Sequence, residues 1–314
     1  MMVNRNRFQQ LIFCLCLVSL TACAKQPTPI KENQLNIVAT TTIVSDVVKQ
    51  VAGDQIGLTT LLPYNTDPHS YEATPQDLAK LVEADAIFAN GVGLETFLSP
   101  ILGSAGVETK MSYLSEGVAL MQMSQELSQT AGIHSDQSNT QDPHVWTDPN
   151  NIKIWVDNTA TRLGMLDPTH NTSYLANAET YKNKLAELDA WVRQEVAQIP
   201  QQYRIIVSDH LVFGYFARQY GFTMVGAIVP SISTLAEPSA QELVDLENQI
   251  NKLGVKAIFV GYSVNPTLAK RVAEDTGATL VYVYTGSLSP PGGEASSYLE
   301  YIRFNVTAMV NALR

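Results

Sequence analysis

The tripeptide Asp-Pro-His occurs twice, at Asp67–His69 and again at Asp142–His144, in a chain of 314 residues that has five histidines. Proline fixes its own φ and pushes the preceding residue into an extended shape, so Asp-Pro aims the side chain that follows. Asp67 and Asp142 can each accept a proton from the imidazole nitrogen turned away from a bound ion, the usual way a metal-binding histidine is oriented. A third histidine, His210, closes the β-rich run "YRIIVSDH", with Asp209 beside it. One such site alone would read as a turn, because Asp-Pro is a common turn pair. Two copies and a third histidine at a strand end point instead to a divalent ion held by imidazoles, and neutral imidazole suits zinc.

The hydrophobic pattern says how these side chains can be brought together. From Leu35 onward, strand-like and helix-like runs alternate. "LNIVATT", "IGLTTLLP" and "DAIFANG" read as strands, and "IVSDVVKQVAG" and "TPQDLAKLVEA" as helices, the second with Thr74 as its cap and Pro75 at its first position. A second alternation follows Pro200, with strands at "YRIIVSDH", "FTMVGAI", "VKAIFVG" and "ATLVYVYTG". Its helices are "FGYFARQYG", "EPSAQELVDLENQINKLG" with Pro238 at its start, and "NPTLAKRVAEDTG". Alternation of this kind predicts α/β units with mainly parallel sheets, which bind ligands beyond the carboxyl ends of their strands. Between the two lies the strongest helix signal, within Asn171–Pro200. Tyr174, Leu175, Ala178, Tyr181, Leu185, Leu188, Val192 and Val196 recur there at steps of three and four. A helix of about 26 residues spans about 40 Å, enough to run down two lobes. Tyr181 and Trp191 on it read as core. The expected fold is therefore two α/β lobes joined by one long rigid helix, with residues 35–165 and 201–314 as the lobes and 166–200 as the link. No sequence repeat relates the lobes. Residues 121–141 are polar and aperiodic and read as a loop, in which His134 is a solvated residue.

Composition narrows the classes. The formal charge is −10, and removing residues 1–22, which carry Arg5 and Arg7 and no acid, takes it to −12. An acidic body argues against nucleic acid. "LIFCLCLVSL" behind those two arginines has the length of a signal-peptide core and is too short to span a bilayer. It ends at "LTAC", which resembles the bacterial lipobox, so residues 1–22 are expected to be cleaved and Cys23 lipidated, followed by a polar tether to residue 34. Cys14 and Cys16 leave with the signal, so no disulfide or thiolate site remains.

Taken together, "DPHSYEATPQD", "DPHVWTDP", "SDHLVFGYFARQYGF", "SISTLAEPSA" and "YTGSLSPPGGEASSYLEYIRFNV" resemble, in order and over nearly the whole mature chain, a bacterial family. It is the zinc- and manganese-binding solute-binding lipoproteins of ABC importers, solute-binding protein family 9. The resemblance implies a metal in the cleft between two lobes and two partners, a membrane permease and its ATPase. It implies an extracytoplasmic monomer held at a membrane by its lipid. It also implies four ligand positions. His69 and His144 match the first two, and His210 the third, where histidine goes with zinc and glutamate with manganese or iron. The fourth is usually an aspartate after the last strand, and Gly286 in "YTGSLS" stands in its place. Glu237 in "LAEPS" is the substitute proposed for it, with Glu294 a weaker one. A long helix resists bending, so small lobe shifts are expected on binding.

Three histidines and an open place also describe catalytic zinc, as in a hydrolase. Yet there is no His-Glu-x-x-His helix, Gly-x-Ser-x-Gly elbow or phosphate loop, and "GVG" at Gly91–Gly93 is too short to count. The chain is expected not to be an enzyme. An adhesin role remains open as a second function.

Overall fold

The computed structural model describes residues 34–99, 106–122 and 141–314. The signal segment, Cys23 and His134 lie outside the described residues. Residues 34–314 form one compact unit. It contains β1 (Leu35–Ala39), α1 (Thr42–Ala52), β2 (Ile56–Thr60), α2 (Pro75–Glu83), β3 (Ala86–Ala89) and β4 (Met111–Tyr113). Then come α3 (Pro149–Leu166), α4 (Asn171–Val196), β5 (Ile205–Ser208), α5 (Gly214–Tyr220), β6 (Thr223–Ala227), α6 (Ala240–Leu253), β7 (Ala257–Gly261), α7 (Thr267–Thr276), β8 (Thr279–Val283) and α8 (Tyr298–Leu313).

The strands make two sheets of four, in the orders β2-β1-β3-β4 and β6-β5-β7-β8. Every pairing is parallel. The two sheets thus share one topology that no sequence repeat announces. Of the inner strands, β3 ("AIFA") and β7 ("AIFVG") are buried at every position, as parallel strands covered on both faces should be, and β1 and β5 are buried over most of their length. β4 is only three residues long and carries no readable pattern.

Local chemistry sets the ends of the helices. Thr74 caps α2 in a reciprocal box with Asp77, and Pro75 is its first residue. α6 begins at Ala240, two residues later than Pro238 suggests. Ser239 is the cap and boxes with Glu242, so the proline only delivers the chain to it. Two helices lie where the sequence reading placed none, α3 and α8. Asp148 caps α3 and Pro149 opens it, a start signal written in "TDP", which begins three residues after His144.

The 26-residue α4 is the long helix, and Tyr174, Ala178, Tyr181, Leu185, Leu188, Val192 and Val196 are its buried stripe. That stripe belongs to one continuous apolar core, which also takes in Ile37 and Phe88 of the first sheet and Ile206 and Phe259 of the second. Leu175, read as part of the stripe, is exposed. Each fully buried aliphatic or aromatic side chain contributes roughly 1.5–3 kcal/mol, so the helix is fixed to both sheets along its length. Trp191 packs at the edge of this core with the Arg303 guanidinium over its ring. Among the described residues, no helix is long and apolar enough to cross a membrane.

Candidate metal centre

Both Asp-Pro-His copies fold into the same local device. Asp67 Oδ1 accepts the backbone N–H of His69 at 3.0 Å, and Asp142 Oδ1 accepts that of His144 at 2.9 Å. Each aspartate thus caps the residue two places on and fixes its Cα–Cβ direction. In the second copy the same oxygen also accepts His144 Nδ1–H at 2.7 Å. His210 is held similarly by its immediate neighbour. Asp209 Oδ1 accepts both the backbone N–H and the Nδ1–H of His210, each at 2.6 Å. Asp209 Oδ2 takes the Gly261 N–H at 2.6 Å, so the carboxylate cannot swing away. Gly261 is required there, since a Cβ would lie 3.0 Å from that carboxylate and closer still to Thr285.

The Nδ1 bonds of His144 and His210 turn their Nε2 atoms inward, and the Nε2 atoms of all three histidines converge. His69 Nε2 is 3.0 Å and His210 Nε2 3.3 Å from His144 Nε2. His69, His144 and His210 form a group with one ligand atom each, all within 4.8 Å of one another. A tetrahedral zinc with bonds of about 2.0–2.1 Å sets its nitrogens about 3.3–3.4 Å apart, so the two separations from His144 Nε2 are close to what an ion needs.

The electrostatics agree. Burial, with the neighbouring imidazoles adding to it, drives the His69 pKa down to about 2. Burial likewise holds His144 well below its ordinary value. Burial also lowers His210, but the charge and hydrogen bond of Asp209 outweigh it and raise the group overall. Burial pushes Asp142 up to about 7. The site is a largely buried cluster of imidazoles and carboxylates, to which a divalent ion would bring positive charge.

Several residues that support the site were not visible in the sequence. Asn90 Nδ2 donates to the Pro143 carbonyl at 3.1 Å, inside the second Asp-Pro-His. Asn90 is placed by Glu95, whose buried carboxylate accepts the N–H groups of Asn90 and Gly91 and the Thr40 hydroxyl. The Tyr215 hydroxyl donates to the Asp142 carbonyl at 2.8 Å. Trp146 stacks edge-on against His144 and donates Nε1–H to the Thr285 carbonyl at 3.0 Å, tying the His144 loop to the segment after β8. Only "DPN" after Trp146, as a helix start, gave any hint of this frame.

The sequence-based candidates divide. Asp142 and Asp209 bond the imidazoles beside them through Nδ1. Asp67 does not: its oxygens are bonded to the His69 backbone and to the Thr234 hydroxyl rather than to the ring. Glu237 is exposed and outside the histidine group, because its loop carries it to the surface ahead of α6. Glu294 is exposed as well. Gly286 does lie beside the first Asp-Pro-His. A Cβ there would stand 2.6 Å from Pro68 Cδ and 3.1 Å from Pro68 Cγ, so the proline ring fills the space an aspartate would need. The fifth histidine, His170, bonds Asp167 at 2.6 Å between α3 and α4 and belongs to that junction.

Similarity to known proteins bears on what this geometry serves. Residues 37–312 match the model of the family described as zinc-uptake complex component A, periplasmic. The chain is 31% identical to the metal ABC transporter substrate-binding lipoprotein ScbA of Streptococcus cristatus over 99% of both chains. It is 30% identical to the manganese ABC transporter substrate-binding lipoprotein PsaA of Streptococcus pneumoniae, over 96% of this chain and 97% of that one. Among solved structures it resembles the periplasmic zinc-binding protein TroA of Treponema pallidum, with a TM-score of 0.79, 26% identity and coverage of 89% of this chain and 99% of that one. It also resembles a manganese-bound periplasmic metal-binding protein from Candidatus Liberibacter asiaticus, with a TM-score of 0.78, 27% identity and coverage of 88% and 99%. With its two parallel α/β lobes and its converging imidazoles, this chain belongs to that zinc-uptake component A family: it is an extracytoplasmic, metal-binding substrate receptor of an ABC transporter, and not an enzyme.

Proposed function

We propose that the ion this receptor captures is zinc, held by Nε2 of His69, His144 and His210 and passed to the transporter's permease. The observation that carries this reading is the donor set, three imidazole nitrogens with no carboxylate oxygen among the grouped atoms. Imidazole favours zinc, whereas harder oxygen ligands suit manganese. Pro68 packed over Gly286 leaves no room for the aspartate that would add an oxygen. Manganese is the second reading, because several relatives are named for it. Calorimetric titration of the metal-stripped chain with zinc and then manganese tests the choice. Tight uptake of one zinc per chain, weaker manganese, and loss of both in His210→Ala are expected. Manganese bound as tightly as zinc, or tight binding by His210→Ala, would sink the assignment.

The lobes are proposed as residues 35–165 and 201–314, with the link at 166–200. His69 and His144 then come from the first and His210 from the second, so the ion ties the lobes together. The core shared along α4 supports small lobe movements on binding, and a large compaction in X-ray scattering on adding zinc would contradict this. One chain supplies all three imidazoles, which supports a monomeric receptor, and light scattering that returns a dimer mass would count against it. The lipobox supports a lipid anchor at Cys23, and a Cys23→Ser chain that stays in the membrane fraction would rule it out.

A further inference from the structure

The three imidazoles are not held alike. The rings of His144 and His210 are each locked by an aspartate next to them in sequence, through Nδ1. Both residues are almost fully buried, at 0% and 3% exposure, while His69 is only partly buried. Among the described residues no carboxylate bonds the His69 ring. Asp67 holds only the His69 backbone N–H, and its other oxygen accepts the Thr234 hydroxyl at 2.5 Å, across 167 residues of sequence. The loop that brings Thr234 runs between β6 and α6. It is fastened at one end to the segment after β5 that carries His210, where the Ser231 carbonyl accepts the Leu211 N–H at 2.8 Å. It is shaped by two short side-chain turns, Ser231 Oγ to Ser233 N–H and Ser233 Oγ to Leu235 N–H. Beyond Thr234 it becomes open to solvent, with Leu235 67% exposed.

Resting on the metal reading above, we infer that Thr234 is a positioning residue that sets how fast the ion leaves. Its hydroxyl fixes Asp67, Asp67 fixes the backbone of His69, and so the imidazole with the weakest local support is held by the opposite lobe. Moving the loop, whose exposed end a partner can reach, breaks this hydrogen bond and frees His69. The ion then keeps two nitrogens and is ready to be passed on. The Asp-Pro-His turn does not hold this ring as the other two are held, because Asp67 bonds the His69 backbone and the Thr234 hydroxyl and neither of its oxygens bonds the imidazole.

The test is release of zinc from the loaded full chain into excess chromophoric chelator, followed by stopped flow. Thr234→Val should release zinc roughly 10- to 100-fold faster, the range expected for losing a hydrogen bond to a charged group. Thr234→Ser keeps the hydroxyl and should release near the parent rate. In a His69→Ala background, Thr234→Val should add little, since its action passes through His69. Parent-like release by Thr234→Val would overturn the inference, as would Thr234→Ser releasing as fast as the valine variant, or an undiminished effect without His69. Equilibrium titration of the parent separates the two readings. A parent that takes up no zinc fails the metal assignment itself and takes this inference with it. A parent that binds zinc yet is indifferent to the Thr234 hydroxyl overturns this inference alone.

Discussion

Putting an aspartate at position 286 looks like a way to complete the family's four-ligand set, and the structure says it will do the opposite. The first new atom, Cβ, falls 2.6 Å from Pro68 Cδ and 3.1 Å from Pro68 Cγ. A proline ring cannot rotate away, so the Asp-Pro-His turn must move, and His69 is the next residue. Gly286 has no left-handed φ, so the obstacle is space rather than backbone strain. Overpacking at a tight contact costs about 1–3 kcal/mol. If the ion-loaded form bears that cost, zinc affinity falls roughly 5- to 150-fold, at about 1.4 kcal/mol per factor of ten. Calorimetry on Gly286→Ala and Gly286→Asp separates the parts: alanine gives the steric loss alone, and aspartate adds the carboxylate. Both are expected to bind zinc more weakly than the parent, without a gain for manganese. The reasoning is refuted if Gly286→Ala binds zinc as tightly as the parent, or if Gly286→Asp gains tenfold or more for manganese.

Other outcomes follow from the same geometry. Asp209→Asn keeps one acceptor oxygen but turns an amide N–H₂ toward either the Gly261 N–H or His210, so zinc affinity should drop about 10- to 100-fold, and an unchanged Kd in titration would contradict the orienting role. Zinc at about 100 times its Kd should stabilise the chain by about 2.7 kcal/mol, so the Tm should rise with zinc and fall back with chelator; a Tm indifferent to both would mean that the ion does not bind the folded form. Asp46 gives a pH signature away from the site. Burial raises its pKa above 3.8 despite bonds from the Tyr298 N–H, Gln50 and Tyr181. The folded state therefore keeps a proton that the unfolded state has lost. The contribution is fully present below 3.8 and is lost as pH rises through the folded value. The Tm of the parent relative to Asp46→Asn should fall as pH increases from about 4 toward neutrality, and a pH-independent difference would exclude this account.

What could be read in the sequence was whatever is encoded within a few residues. The stripe on α4 repeats every three or four positions, so its length and burial were legible. Thr74, Pro75 and Asp77 spell a helix start, and Asp-Pro-His spells a rigid turn with a histidine at its end. α3 is legible too, from Asp148, Pro149 and the apolar spacing of Ile152, Trp155, Val156 and Leu163. By contrast, Asn90 gripping Pro143, and Pro68 closing over Gly286, are meetings of residues far apart in the chain. No local pattern marks them. For the same reason Glu237 looked plausible as a ligand, since an acidic residue on a loop says nothing of where the loop goes.

This division between local and distant encoding bears on how a receptor can both hold and release an ion. His144 and His210 take their orientation from an aspartate one or two residues away, which travels with them whatever the lobes do. His69 takes part of its orientation from Thr234 on the other lobe, and that bond exists only while the lobes keep their present relation. A cage made of three locally locked imidazoles would keep its geometry under any lobe movement and would give up the ion slowly. With one ligand tied across the cleft, a small displacement of a surface loop is enough to reduce three nitrogens to two. The long helix can then stay rigid, since release needs one hydrogen bond to break rather than a hinge to open.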